Sequence, residues 1–345
     1  MRLDESSEVQ HAMLKHSSDS EPGYTRQRKG RYWAYFDGEK RVTDRDTIER
    51  LNSIALPPAY KDAWFCKDPN GHLQATGIDD RGRKQYRYHP EFRARAEANK
   101  FAGLAEFGKA LPRIRRKVDK DLRKRSLSRD KVVAAVVRLL DDDYLRVGNE
   151  EYAKANKSYG ATTLLSRQVE DNGRKVRMRF KGKSGVEHEV MITDRTLRRI
   201  VRQLQELPGQ ALFQYVNGDG NPHPITSTEV NDYIREASDG DFTAKEFRTW
   251  GATVLAFEQM LDKAENARIS VKTMIEPVAE ALGNTVAMSR KAYVHPALIA
   301  AVKDNPRDPL RGLERPRARK WLSSCEVALI PFLKKVSRKS KKAAP

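Results

Sequence analysis

The hydrophobic period of the chain changes at His89-Pro90, and that single switch limits what the chain can fold into. Upstream of it, short aromatic and alternating runs are cut by turn residues. Arg31-Tyr-Trp-Ala-Tyr-Phe36 leads into Asp37-Gly38, the pattern of a strand entering a hairpin. Leu56-Pro57-Pro58 ends a short helix, and residues 64–66, 73–78 and 85–88 are further strand candidates. Downstream, apolar residues recur at helical spacing. A long basic helix is expected over residues 90–111, and a second over 130–144 with Val133, Val136, Val137, Leu140 and Tyr144 on one face. The period returns to two once more. Val176, Met178 and Phe180 alternate with Arg177 and Arg179, Lys181-Gly-Lys-Ser-Gly185 turns the chain, and residues 186–192 come back, a hairpin with a lysine at its tip. From 193 to 321 helical patterns dominate, with interruptions expected at Pro208, Pro222, Pro277 and Gly283.

These patterns predict an α+β fold in two domains, which suits 345 residues. A small β-rich domain is expected over 24–98 and a larger, mostly α-helical domain carrying the hairpin over 99–333. A polar stretch at 1–23, rich in Ser, Asp and Glu, reads as a mobile arm, and 334–345 as a flexible basic tail.

Charge then narrows the partner. Lys and Arg number 66 against 47 Asp and Glu, a net charge of +19, which makes nucleic acid the leading candidate. No apolar run approaches the ~20 residues of a bilayer span, so no membrane is expected. The amino-terminal residues hold no apolar stretch of the kind that directs secretion, and a cytoplasmic location on the nucleoid is the expectation. Cys66 and Cys325 are the two cysteines, outside any CxxC, which excludes a disulfide framework and a cysteine-based zinc site. HExxH, GxxxxGK[ST] and GxGxxG are missing as well, so neither a metal, ATP nor NAD is expected.

Three segments set basic residues beside turns: Tyr144-Leu-Arg146-Val-Gly-Asn149, the tip around Lys183, and Lys245-Glu-Phe-Arg248-Thr-Trp-Gly251. Singly, each reads as a helix cap or a solvated turn. In a fourth, Gly283-Asn284 through Pro296, Arg290 and Lys291 crowd Tyr293 with positive charge. Two arginines and a lysine about a tyrosine suit the binding of a phosphodiester and of the charge that builds on it.

Six blocks in chain order resemble the type IB DNA topoisomerases, in their compact bacterial and poxvirus branch. They are Arg81-Gly-Arg-Lys-Gln85-Tyr86-Arg-Tyr88, Arg146-Val-Gly-Asn-Glu-Glu-Tyr152, Thr162-Thr-Leu, Phe180-Lys-Gly-Lys183, Lys245-Glu-Phe-Arg248-Thr-Trp-Gly and Ser289-Arg-Lys-Ala-Tyr293. The likeness runs from about residue 24 to 299. It implies a two-domain clamp on duplex DNA, preferably supercoiled, that relaxes it by reversible single-strand transesterification through a 3′-phosphotyrosyl link, with no cofactor and no obligate protein partner. It makes Tyr293 the nucleophile, puts Arg146 and Arg248 on the nonbridging oxygens, and has Lys183 protonate the departing 5′ oxygen. It also places Arg83, Lys84, Gln85, Tyr86, Tyr88, Tyr152, Lys245, Arg290 and Lys291 on DNA.

The implied chemistry agrees with ordinary reactivity. A phenol of pKa near 10 needs cationic neighbours to attack at neutral pH, and an alkoxide needs a proton to leave. Alternation sends Gln85 to the face opposite Tyr86 and Tyr88. Two departures stand out. Asn284 occupies the place of a histidine nine residues before the nucleophile, so it can hydrogen-bond but not titrate. Asn149 and Glu151 stand where poxvirus relatives carry lysines, so a strict sequence preference is not expected. A tyrosine recombinase shares the Arg, Lys, Arg, Tyr chemistry, but usually has His where this chain has Lys245 and lacks the β domain. A non-catalytic DNA-binding protein explains the charge and not the ordered blocks.

Overall fold

The computed structural model describes residues 14–343 apart from 81, 174, 219 and 263–266. The first thirteen residues of the expected arm, and Arg81 of the first motif block, lie outside the described residues. The chain divides into two compact units, Met1–Phe101 and Ala102–Pro345.

The first unit is a six-stranded antiparallel sheet in the order β3-β2-β1-β4-β5-β6. Its strands are β1 (Tyr24–Lys29), β2 (Tyr32–Asp37), β3 (Lys40–Arg41), β4 (Lys61–Phe65), β5 (Leu73–Ile78) and β6 (Lys84–Tyr88). The aromatic run of β2 does enter a hairpin, which turns at Gly38 with φ +58°. Helix α1 (Arg45–Ser53) starts at Asp44, whose carboxylate accepts from the Thr47 N–H, and it adds Leu51 to the core. Tyr35, Leu51, Leu56, Ala63, Phe65 and Ala75 pack there, with Tyr35 edge-on to Phe65 at 5.4 Å.

Residues 14–23, expected to belong to a mobile arm, lie on this sheet. Lys15 bridges to Gly71, buried Ser17 donates to the Leu73 carbonyl at 3.0 Å, and Trp64 Nε1 donates to the Glu21 carbonyl at 2.9 Å. Its polar side chains are engaged, Ser17 with the Leu73 backbone, Lys15 with the Asp68 carboxylate and Asp19 with Thr76 Oγ1. After β6 comes α2 (Pro90–Asn99).

The second unit is built on α3 (Leu104–Leu122) and α4 (Arg129–Asp142). The single helix expected over 90–111 is therefore two helices. The break falls at residues 100–103, and Gly103, a poor helix former, becomes the N-cap of α3. Helix α4 also differs from expectation, because Val132 to Val137, Leu139 and Leu140 are all buried rather than one face. It is the central helix of the unit, touched by α3, α6, α7 and α8, so a stripe reading understates it. Tyr144 lies beyond its end with φ +53°.

The chain continues through α5 (Glu150–Asn156), β7 (Val169–Asp171), β8 (Val176–Lys181), β9 (Glu187–Ile192) and α6 (Arg195–Gln205). Strands β8 and β9 form the expected hairpin, in register from Val176↔Ile192 to Lys181↔Glu187, and β7 adds a third strand. A short hairpin of β10 (Gln214–Val216) and β11 (Pro222–Pro224) follows, where the sequence suggested a helix interruption alone.

Then come α7 (Ser227–Ser238), α8 (Ala244–Asp262), α9 (Val271–Leu282), α10 (Val286–Ala292), α11 (Pro296–Asp304) and α12 (Ser324–Ala343). Pro277 sits inside α9 and does not end it. Burial of Met274, Ile275 and Val278 on either side offsets the lost backbone bond. The lysine-rich run at 334–342, read as a flexible tail, continues α12 to Ala343.

Packing in this unit fixes α8. A Cβ added to Gly108 of α3 would fall 2.2 Å from Trp250 Cη2, so the two helices meet closely there. Arg115 of α3 donates to Asp141 of α4 and to Glu326 of α12, and Glu326 also accepts from Trp250 Nε1 at 2.9 Å. This buried ionic group ties four helices together, and each partner satisfies the next.

Candidate active site

Arg146 stands on the loop between α4 and α5, and the Thr162 block holds that loop. The Ala161 N–H donates to the Arg146 carbonyl at 2.8 Å, while the Thr162 N–H and Oγ1 both donate to the Val147 carbonyl, at 2.7 and 2.9 Å. The approach is too close for side chains. A Cβ on Gly160 would lie 2.6 Å from the Arg146 carbonyl, and Gly148 has φ +102°. Asn149 caps α5 by accepting from the Tyr152 N–H at 2.8 Å, so α5 begins after Asn149 and not near Arg146.

Arg248 lies one turn into α8 and is 5% exposed. One Nη donates to the Tyr144 carbonyl and the other to the Leu282 carbonyl at 3.1 Å, so the guanidinium links the ends of α4 and α9. Its Nε is buried without a hydrogen-bond partner among the described residues. Burial, and then Arg146 nearby, push its pKa down to about 10, which leaves it cationic at neutral pH.

Tyr293 follows α10, with its N–H donating to the Ser289 carbonyl at 3.0 Å. Helix α8 places it. Thr253, fully buried, donates to the Thr249 carbonyl at 2.7 Å and accepts from the His295 N–H at 3.3 Å, and the Tyr293 carbonyl lies 3.3 Å from the same hydroxyl oxygen. Arg248 Cζ is 5.1 Å from the centre of the Tyr293 ring. Burial alone would raise the phenol pKa, but Arg248 and Arg146 outweigh it and hold the group below the ordinary tyrosine value.

Asn284 follows the Gly283 cap of α9. Its Oδ1 accepts from Arg146 Nη2 at 3.3 Å, which orients the amide and leaves Nδ2 buried with no partner. Two buried donors, Arg248 Nε and Asn284 Nδ2, thus stand unmatched beside a phenol of lowered pKa. An unsatisfied buried donor costs about 1–3 kcal/mol, and an oxyanion accepting from both would remove that cost.

The structure therefore brings Tyr293, Arg146, Arg248 and Asn284 together. Lys183 is exposed in the turn between β8 and β9, and its side chain makes no hydrogen bond or ion pair among the described residues. Lys245, Arg290 and Lys291 are exposed, and Tyr152 is half-buried. In the first unit, edge strand β6 alternates as expected. Lys84, Tyr86 and Tyr88 are exposed, with the two rings stacked at 6.2 Å. Arg83 and Gln85 instead both donate to Asp79 at 2.9 Å, and Lys84 pairs with Asp19.

Sequence reasoning missed His188, on β9, which lies within electrostatic reach of both arginines. The available signal was its position in phase with inward-facing Val190 and Ile192. It also missed Thr253, whose hydroxyl makes no sign in a helical pattern. Among the described residues no three His, Cys, Asp or Glu side chains are grouped to hold a metal ion, and no helix is long and apolar enough to cross a membrane.

Residues 89–303 match the family described as eukaryotic DNA topoisomerase I, catalytic core, and residues 32–79 match the bacterial DNA topoisomerase IB N-terminal domain. The chain is 32% identical over 284 residues to DNA topoisomerase 1B of Acanthamoeba polyphaga mimivirus, covering 79% of this chain and 84% of that protein. It is 21% identical over 276 residues to DNA topoisomerase 1B of vaccinia virus (strain Copenhagen), covering 76% and 83%. A third relative, DNA topoisomerase 1 of Mycosarcoma maydis, is 24% identical over 204 residues, 52% of this chain and 20% of that protein.

Proposed function

Because the chain belongs to the type IB DNA topoisomerases, we propose that it relaxes supercoiled duplex DNA by reversible transesterification through Tyr293. With the family in hand, the readings as a tyrosine recombinase and as a non-catalytic DNA-binding protein lapse. The observation that carries the mechanism is the convergence of two guanidiniums on one phenol. The Tyr293 phenol gives its proton to solvent and its oxygen attacks the phosphorus, the bond from phosphorus to the 5′ oxygen breaks, and the strand stays attached through its 3′ phosphate. Arg146 and Arg248 bear the negative charge that grows on the nonbridging oxygens, and Asn284 Nδ2 donates to one of them. Lys183 gives its proton to the departing oxygen and takes it back when that oxygen re-attacks. One phosphodiester is exchanged for another of similar energy, so the reaction runs without ATP or a metal ion.

Both units bind the same duplex in this reading, the first through Lys84, Tyr86 and Tyr88. Lys245, Arg290 and Lys291 add phosphate contacts in the second. Arg83 and Gln85 take part on exchanging Asp79 for DNA. The enzyme works alone, on the nucleoid, and favours supercoiled substrate. Negatively supercoiled plasmid incubated with the protein in a chelator and without nucleotide tests this, with ladder-wise relaxation as the expected result. Relaxation that appears only on adding ATP or a divalent cation would overturn it.

A further inference from the structure

His188 is flanked on two sides by glycines from separate segments. A Cβ on Gly182, just before Lys183, would lie 2.6 Å from His188 Cδ2, and a Cβ on Gly283, just before Asn284, would lie 2.7 Å from His188 Cε1. No side chain fits at either place. The ring also stacks on Phe180, its partner across the β8–β9 ladder, at 5.4 Å and 16°. The inward face of β9 thus reads His188, Val190, Ile192. Its two aliphatic members fill the core, while the imidazole sits at the end nearest the site.

We propose that His188 is a positioning residue for strand cleavage, a rigid strut that sets the Lys183 turn against the Gly283–Asn284 segment. The inference rests on Lys183 being the proton donor. Lys183 is exposed in a one-turn 3-10 helix whose middle residue, Ser184, has φ +66°, and it has no side-chain partner of its own among the described residues. Its placement therefore comes from the backbone of the turn, which the Gly182 N–H closes onto the Val186 carbonyl at 2.7 Å and which packs at Gly182 against the His188 ring. On its other edge the same ring meets the cap of α9, whose last carbonyl, that of Leu282, accepts from Arg248. The donor turn and the guanidinium pocket are thereby referred to one flat, stacked group. Burial beside Arg146 and Arg248 holds His188 below the ordinary histidine pKa, so the strut is neutral and adds no charge to the pocket.

The test is single-turnover cleavage of a duplex with one cleavage site, whose scissile 5′ atom is either oxygen or sulfur. A thiolate leaves without a proton, so a misplaced donor is silent on the sulfur substrate. His188→Ala should slow cleavage of the oxygen substrate by about tenfold or more and of the sulfur substrate by less than about threefold, within the range that ångström-scale misplacement produces. Gly182→Ala, which leaves the histidine in place, should show the same signature if His188→Ala fails to fold. The double variant should be no slower than His188→Ala, because removing the ring makes room for the added methyl. Equal slowing on both substrates, with Lys183→Ala rescued by sulfur, overturns the positioning role alone. A Lys183→Ala variant that sulfur does not rescue overturns the proton-donor reading, and this proposal with it.

Discussion

Gly251 stands on α8 one turn after Arg248, and its replacement by alanine tests how the arginine is held. In an exposed helix that change stabilises by about 0.5–1 kcal/mol, since alanine loses less backbone freedom. Here the added Cβ would lie 2.2 Å from Cε1 and 2.3 Å from Cδ1 of Tyr144, the residue whose carbonyl accepts from Arg248. The ring is half-buried, and burial raises its pKa to about 12, so it has limited freedom to give way. Overpacking of this kind costs about 1–3 kcal/mol, so the propensity gain is outweighed and a net loss of about 1–2 kcal/mol is expected. Displacement of the Tyr144 carbonyl should also slow cleavage about tenfold. Denaturant unfolding and single-turnover cleavage of Gly251→Ala measure the two effects. Tyr144→Gly, which relieves the positive φ and removes the ring, should make the second change harmless. A Gly251→Ala protein more stable than the parent, with unchanged cleavage, would refute this account of the pocket.

Arg146→Ala and Arg248→Ala should each slow cleavage by about 10²-fold or more, as loss of a transition-state charge partner does. Arg248→Ala alone should also lower stability, by about 1–3 kcal/mol, because the Tyr144 and Leu282 carbonyls lose a buried donor; equal stability of the two variants in urea would count against it. The cleavage rate should rise with pH through a midpoint below 10, the ordinary tyrosine value, and Arg146→Ala should move that midpoint up, since removing a cation favours the neutral phenol. A midpoint at or above the ordinary tyrosine value, or one that Arg146→Ala leaves in place, would contradict the assigned environment.

Strands β2 and β6 and the β8–β9 hairpin were legible because a half-exposed strand writes its two faces into alternate residues, as Lys84 to Tyr88 shows, whereas β1 was not expected and β4 begins at Lys61, three residues before the expected 64–66. Tyr293, Arg146 and Arg248 were singled out through the order of their motif blocks and Asn284 as a departure nine residues before Tyr293, and the fold brings all four together. What escaped depends on neighbours distant in sequence. The burial of α4 on every side comes from α3, α6, α7 and α8 packing around it, and no window of its own residues contains them. Asn149 read as a departure at a DNA-facing position, yet its side chain is committed to capping α5, a role set by the loop conformation at Gly148. Gly182 read as part of a turn and Gly283 as a helix interruption, while Gly160 and Gly251 carried no reading of their own. Each admits a close neighbour, His188 at Gly182 and again at Gly283, the Arg146 carbonyl at Gly160 and Tyr144 at Gly251.

Whether Tyr293 forms the covalent bond is read from the adduct itself. The protein is trapped on a nicked suicide duplex, digested, and the DNA-linked peptide is sequenced by mass spectrometry. The account predicts a 3′-phosphate on Tyr293 and no adduct from Tyr293→Phe, with that variant binding duplex DNA almost as well as the parent, because one hydroxyl adds little to an interface of phosphate contacts. An adduct mapped to any other residue, or one formed by the phenylalanine variant, would contradict it.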